Sequence, residues 1–137
     1  MIHSPSRPGY VFLLSVLVIG AIATATTVTL LLLGNAAERN AFSLWESTQA
    51  MENARTCAER SLLTLRQNLA YAGSSQVSLT DGSCSVVISG NGVDHRAVCV
   101  EGRRGTVVRR LELEIDRLFP TPQVSSWKEV PAFSLCQ

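Results

Sequence analysis

The chain has 137 residues, 46% of them hydrophobic and 17% charged, with a formal net charge of +1. That length admits one membrane-length segment and one small domain, and it excludes a pair of full-sized domains. The near-neutral balance selects no particular partner, so bulk charge is excluded as the basis of function.

The first nine residues, MIHSPSRPG, carry Arg7 and the initiator amine and no acid. Behind them, Tyr10 to Leu33 is a run of about 24 residues without a charged side chain. As a helix it would reach roughly 36 Å, more than the ~30 Å of a bilayer core. An uninterrupted apolar run of this length predicts a transmembrane helix. Glu38, Arg39 and Glu46 follow it. Positive charge ahead of the span predicts an N-inside orientation, with the rest of the chain outside the cytoplasm. The alternative is a signal peptide cut near Gly34-Asn35-Ala36, although the run exceeds the roughly 7–15 apolar residues of an ordinary h-region. Thr24, Thr26, Thr27 and Thr29 are expected to bond back to helix carbonyls, or else to help pack this helix among others.

Past Gly34-Asn35 the helical pattern resumes. Ala50, Met51, Ala54, Cys57, Ala58, Ser61, Leu62, Leu65 and Leu69 recur at three- and four-residue steps, while Glu52, Arg55, Glu59, Arg60 and Arg66 fall largely off that stripe. This predicts an amphipathic helix with one buried face. Gly73 is the expected C-cap. One helix from Tyr10 to about Tyr71 would be near 90 Å long.

Short alternating runs follow, separated by turn signals, and predict an antiparallel meander. Val77 to Thr80 leads into the hairpin dipeptide Asp81-Gly82. Cys84 to Ile88, the turn Gly90-Asn91-Gly92 and Arg96 to Val100 come next, then a turn at Gly102 to Gly105. The strand Thr106 to Asp116 places Val107, Leu111, Leu113 and Ile115 on one face, with Glu112, Glu114 and Asp116 on the wet one. Pro120 and Pro122 mark Leu118 to Gln123 as a loop. Val124 to Val130 offers an edge strand stopped by Pro131, with Trp127 expected to cover the sheet.

All four cysteines, Cys57, Cys84, Cys99 and Cys136, lie beyond the apolar run. An even count in a small extracytoplasmic domain predicts two disulfides in an oxidising compartment. Four cysteines permit three pairings. A two-residue turn at Asn91-Gly92 would set Cys84 across from Cys99, but it would put Val86 on the face opposite to Val98 and Val100. A turn one residue longer, or a bulge, places Val86 opposite Val98 and keeps one apolar face. Cys84 then faces the helix and Cys99 faces away. With Cys57 on the buried helix stripe, the expected pairs are Cys57–Cys84 and, by subtraction, Cys99–Cys136. Arg96, Arg103, Arg104, Arg109 and Arg110 cluster in one stretch. They read as solvated strand and turn positions, or as an anion or DNA patch.

The leader ending in Gly9, the aromatic Tyr10, and an apolar segment running straight into an amphipathic helix resemble a prepilin. Gly9-Tyr10-Val11-Phe12-Leu13-Leu14 is similar to the processing site of type IV pilins and pseudopilins. The resemblance implies cleavage between Gly9 and Tyr10 by a prepilin peptidase and N-methylation of Tyr10. It also implies assembly with other pilin subunits by pilus or secretion machinery. Tyr10 stands where phenylalanine is usual. Leu14 stands where major pilins carry a glutamate, which points to a minor pilin or pseudopilin. Cys57-Ala58-Glu59, Tyr71-Ala72-Gly73, Cys84 and Trp127-Lys128-Glu129-Val130 are similar to segments of pilin-like proteins from small-genome bacteria.

No phosphate-binding glycine loop, nucleophile elbow or zincin motif occurs. There is no Cys-x-x-Cys, and the only histidines are His3 and His95. Asp94-His95 reads as a solvated turn pair. The expectation is therefore a non-enzyme without cofactor or metal, of α+β class: a long N-terminal helix packed on a small antiparallel sheet of about four strands. Its parts are a leader (1–9), a transmembrane helix (10–34), the amphipathic continuation (35–73) and a β head with C-terminal tail (74–137). The functions it fits are a pilus-like filament subunit, a plain single-pass membrane protein with an extracytoplasmic protein-binding domain, and a DNA-binding competence pilin.

Overall fold

Between Gly9 and Gln67 there is no proline and the only glycines are Gly9, Gly20 and Gly34, so nothing in the sequence forces a break. In the computed structural model these residues belong to one helix of 60 residues, α1 (Pro8–Gln67). The structure describes residues 8–90 and 92–136. The leader ahead of Pro8, Asn91 of the expected turn, and Gln137 lie outside the described residues. The chain divides into two units within α1, Met1–Phe42 and Ser43–Gln137.

The helix ends at Gln67, ahead of the expected stop near Tyr71. Asn68 explains the difference. Its side-chain Oδ1 accepts a hydrogen bond from the Ala70 amide at 3.2 Å, and its carbonyl accepts one from the Tyr71 amide at 3.0 Å. Asparagine competes with the helix for backbone partners in this way. Gly73 is then not the cap but the first residue of a strand, at φ 137°.

Five strands follow: β1 (Gly73–Leu79), β2 (Gly82–Ser89), β3 (Asp94–Arg104), β4 (Val107–Arg117) and β5 (Gln123–Glu129). They pair antiparallel in sequence order, one more strand than the four expected. The fifth is the edge segment before Pro131. Val86 lies opposite Val100 and Ile88 opposite Val98. That register is displaced by two residues from the Val86–Val98 pairing expected, because residues 90–93 separate β2 from β3. Side chains alternate with period two, so a shift of two preserves which face is apolar.

That face meets the second half of α1. Ala54, Cys57, Ala58 and Leu65 from the helix pack with Cys84, Val86 and Ile88 of β2, Val98 and Val100 of β3, and Leu111, Leu113 and Ile115 of β4. The small side chains at Ala50 and Ala54 bring the helix backbone onto β3 at Gly102. A Cβ built there would fall 2.8 Å from the Ala54 Cβ and closer still to the Ala50 carbonyl oxygen. Asn53, buried beside them, donates from Nδ2 to the Arg103 carbonyl at 3.0 Å and the Asp81 carbonyl at 3.4 Å. One helix side chain thus ties the β1–β2 turn to the last residues of β3.

Candidate functional site

In the first unit, every residue from Gly9 to Phe42 is exposed. The helix is long and apolar enough to cross a membrane, and none of its most apolar window is buried. Leu13, Leu17, Ile19, Ile22 and Leu30 to Leu33 are each at least 60% exposed. Burying a large apolar side chain is worth roughly 1.5–3 kcal/mol, so leaving this surface in water would cost on the order of tens of kcal/mol. It needs lipid or other apolar surfaces around it. The polar exceptions are satisfied internally. Ser15, Thr24 and Thr26 donate to carbonyls three residues back, and Thr27 and Thr29 to carbonyls four residues back, at 2.8–2.9 Å. No hydroxyl of this group demands water, as a lipid environment requires. Gly9 and Tyr10 stand in the first turn of α1, Tyr10 and Leu14 both exposed.

In the second unit, Cys57 bonds Cys84 and Cys99 bonds Cys136, with Cα separations of 6.4 and 6.2 Å. The first bridge joins α1 to β2 inside the core. The second fastens the C-terminal tail to the opposite face of the sheet.

That tail changes the reading of β4. Glu114 and Asp116 are on the wet face as expected, but Glu112 is buried, only 6% exposed. The tail covers it: the amides of Ser134 and Leu135 and the Ser134 hydroxyl all donate to its carboxylate, the last two at 3.0 Å. Burial works to raise the Glu112 pKa, but these hydrogen bonds outweigh it, helped by Lys128, and hold the carboxyl below its ordinary 4.5. A depressed carboxyl stabilises the fold above its unfolded value and ceases to do so as pH falls through the folded one. Glu112→Gln is therefore expected to cost about 1–2 kcal/mol at about pH 7, with the deficit shrinking toward about pH 3. Denaturant titrations at both pH values check this. A deficit equal at the two would refute this role of the ionised Glu112 in holding the tail.

The five arginines of the expected patch are not brought together as free cations. Arg96 is buried, 1% exposed, and points to the helix side of the sheet. Its guanidinium donates to the carbonyls of Ser89 at 3.2 Å, Leu69 at 3.0 Å, Gly92 at 2.7 Å and Tyr71. Arg103 and Arg110 clasp Glu101 from either side at 2.5 and 2.8 Å. Burial opposes ionisation of Glu101, yet the hydrogen bonds and charges of those two arginines keep its pKa lowered. Arg104 pairs with Asp81 at 3.0 Å and lies 4.9 Å from the Trp45 ring centre. Arg109 pairs with Glu129 at 2.7 Å. A phosphate would have to displace a carboxylate at each of the four.

Asp94 and His95 are exposed at the start of β3, with His95 at φ 56°. Trp127 sits on edge strand β5 opposite Leu113 and is 43% exposed, so it covers the sheet only in part. Among the described residues, no three His, Cys, Asp or Glu side chains are grouped to hold a metal ion. Asn53, Arg96 and Glu112 were not singled out by sequence reasoning as tertiary anchors. For Arg96 there was a signal: it has the inward parity of Val98 and Val100, which places a cation among core positions. No protein-family model, curated protein or solved structure matches the chain.

Proposed function

We propose that this chain is a subunit of a type IV pilus-like filament, a minor pilin or pseudopilin. The observation that carries the reading is the division of labour along α1. Its N-terminal half is uncharged and wholly exposed, and its C-terminal half buries Ala54, Cys57, Ala58 and Leu65 under a disulfide-tied sheet. A helix of that kind serves two solvents in turn. In the cytoplasmic membrane, with its N-terminus inside, it holds the head on the outer side, where an oxidising compartment forms the two disulfides. After cleavage between Gly9 and Tyr10 and N-methylation of Tyr10, the assembly machinery would withdraw the helix from lipid. Contacts with the helices of other subunits would replace the lost lipid contacts, leaving the head on the filament surface or at its tip.

Leu14 supports a minor rather than a major subunit, because it offers no carboxylate to meet a neighbour's N-terminus. Non-enzymatic assembly, without cofactor or metal, belongs to the same proposal. The ion-paired state of Arg103, Arg104, Arg109 and Arg110 favours this reading over DNA capture. N-terminal sequencing of the mature protein tests it. The expected first residue is a methylated Tyr10. An intact Met1 would favour a plain single-pass membrane protein, and a start near Ala37 would favour a secreted domain.

A further inference from the structure

The two edges of the sheet are built differently. β5 carries Lys128 and Glu129, pairs with β4 through register shifts at Ile115, and runs into Pro131. Those are the devices by which sheet edges avoid adding a further strand. β1, with the sequence GSSQVSL, has none of them. It holds no charge and no proline, and it pairs with β2 in unbroken register over seven residues. Residues 73–76 and Ser78 are exposed, and Val77 and Leu79 are half-buried. The N–H and C=O groups that an edge strand turns away from its neighbour lie open to pairing here.

Beside that edge, between β1 and α1, is a small cleft of about 60 Å³. Its deep wall is apolar, formed by the buried Val86 and Ile88, and its outer lining includes Arg60, Thr64, Ser75 and Val77. Arg60 is exposed and, among the described residues, forms none of the ion pairs that hold Arg55, Arg103, Arg104, Arg109 and Arg110. The cleft therefore presents one uncompensated cation next to an open strand edge. Charge complementarity asks for a carboxylate, and the edge asks for an extended backbone.

We infer that the β1 edge and its Arg60 cleft bind an extended, acid-bearing segment of another protein by strand addition. Backbone hydrogen bonds to β1 supply the pairing. Alternate side chains of the incoming strand face the cleft, so one carboxylate can reach Arg60 while a neighbouring apolar residue two positions away meets Val77. This surface does not depend on the chain's assembling into a filament, because a plain membrane-anchored head would present it equally.

The probe is a seven-residue alternating Thr/Val peptide with a central Glu, added to the full-length protein in detergent micelles and followed by backbone amide shifts. Three comparisons accompany it: a peptide with Lys in place of Glu, one with its alternate backbone amides N-methylated, and the Arg60→Gln protein. Arg60 is exposed at the mouth of the cleft and, among the described residues, forms no ion pair, so the variant is expected to leave the fold intact. The expected result is a Kd below about 1 mM with shifts on residues 74–79. The Lys peptide and Arg60→Gln are each expected to weaken binding about tenfold, and N-methylation to abolish it. Shifts centred on β5, binding weaker than about 1 mM, or indifference to either the charge reversal or N-methylation would overturn the proposal.

Discussion

Replacing Gly102 with valine is expected to cost the head about 3 kcal/mol or more. The reason is backbone, not side chain. The nearest atoms to an added Cβ are the Ala50 carbonyl oxygen and the Ala54 amide nitrogen, with the Ala54 Cβ at 2.8 Å. A helix backbone cannot swing aside as a long side chain does. It must lift from β3, and Asn53 would then be pulled from the Arg103 and Asp81 carbonyls it holds. For a domain of this size the loss corresponds to a fall in Tm of roughly 10–20 °C, readable by thermal unfolding of the full chain in micelles. Ala54→Gly in the same background should restore little, because it removes only the outermost of the clashing atoms and weakens the helix by about 1 kcal/mol. A Tm within about 3 °C of the parent, or full rescue by Ala54→Gly, would show that the helix does not approach β3 as closely as described.

Arg96→Met is expected to be at least as damaging, with a loss of about 3–5 kcal/mol. The side chain volume is roughly kept, but four carbonyls lose their donor: Leu69 and Tyr71 beyond the end of α1, Ser89 at the end of β2, and Gly92 in the connection to β3. None of these is a carboxylate, so the arrangement is a guanidinium serving as a multi-point clamp on backbone oxygens. Arg96→Lys keeps the charge yet offers a compact ammonium in place of a planar fork, and is expected to lose about 2 kcal/mol or more. Amide exchange separates this from a general softening. In the Lys variant protection should fall first over residues 68–73 and 89–96, with the paired centre of β3 and β4 affected least. A Lys variant as stable as the parent would mean that charge alone, and not the fork, is what the site requires.

Both sites bear on where function is carried. In the function proposed above, the helix carries two unlike surfaces, and the head rides on it only if its second half is held firmly to the sheet. Gly102 and Asn53 do this together around Ala50 to Ala54, and Arg96 holds the carbonyls of Leu69 and Tyr71 just past the helix end, alongside the Cys57–Cys84 bridge.

Much of this was legible in the chain by itself. An uncharged run from Tyr10 to Leu33 admits few environments, because the cost of wetting it scales with area and needs no partner to be known. The stripe from Ala50 to Leu65 and the alternation in β2 and β4 follow from the fixed periods of helix and strand. Face parity was equally local, which is why the register could be misplaced by two residues and still put Cys84 toward the helix and Cys99 away from it. What only the tertiary structure decided are the pairings across long separations. Glu112 is identical in local pattern to Glu114, and it becomes buried solely because a tail more than twenty residues later is folded over it. Arg96 sits in an arginine-rich stretch with four others, and it alone is buried and meets the carbonyls left open beyond the helix end. Periodicity assigns a residue to a face. The fate of a charge depends on what distant chain arrives at that face, and no local pattern encodes it.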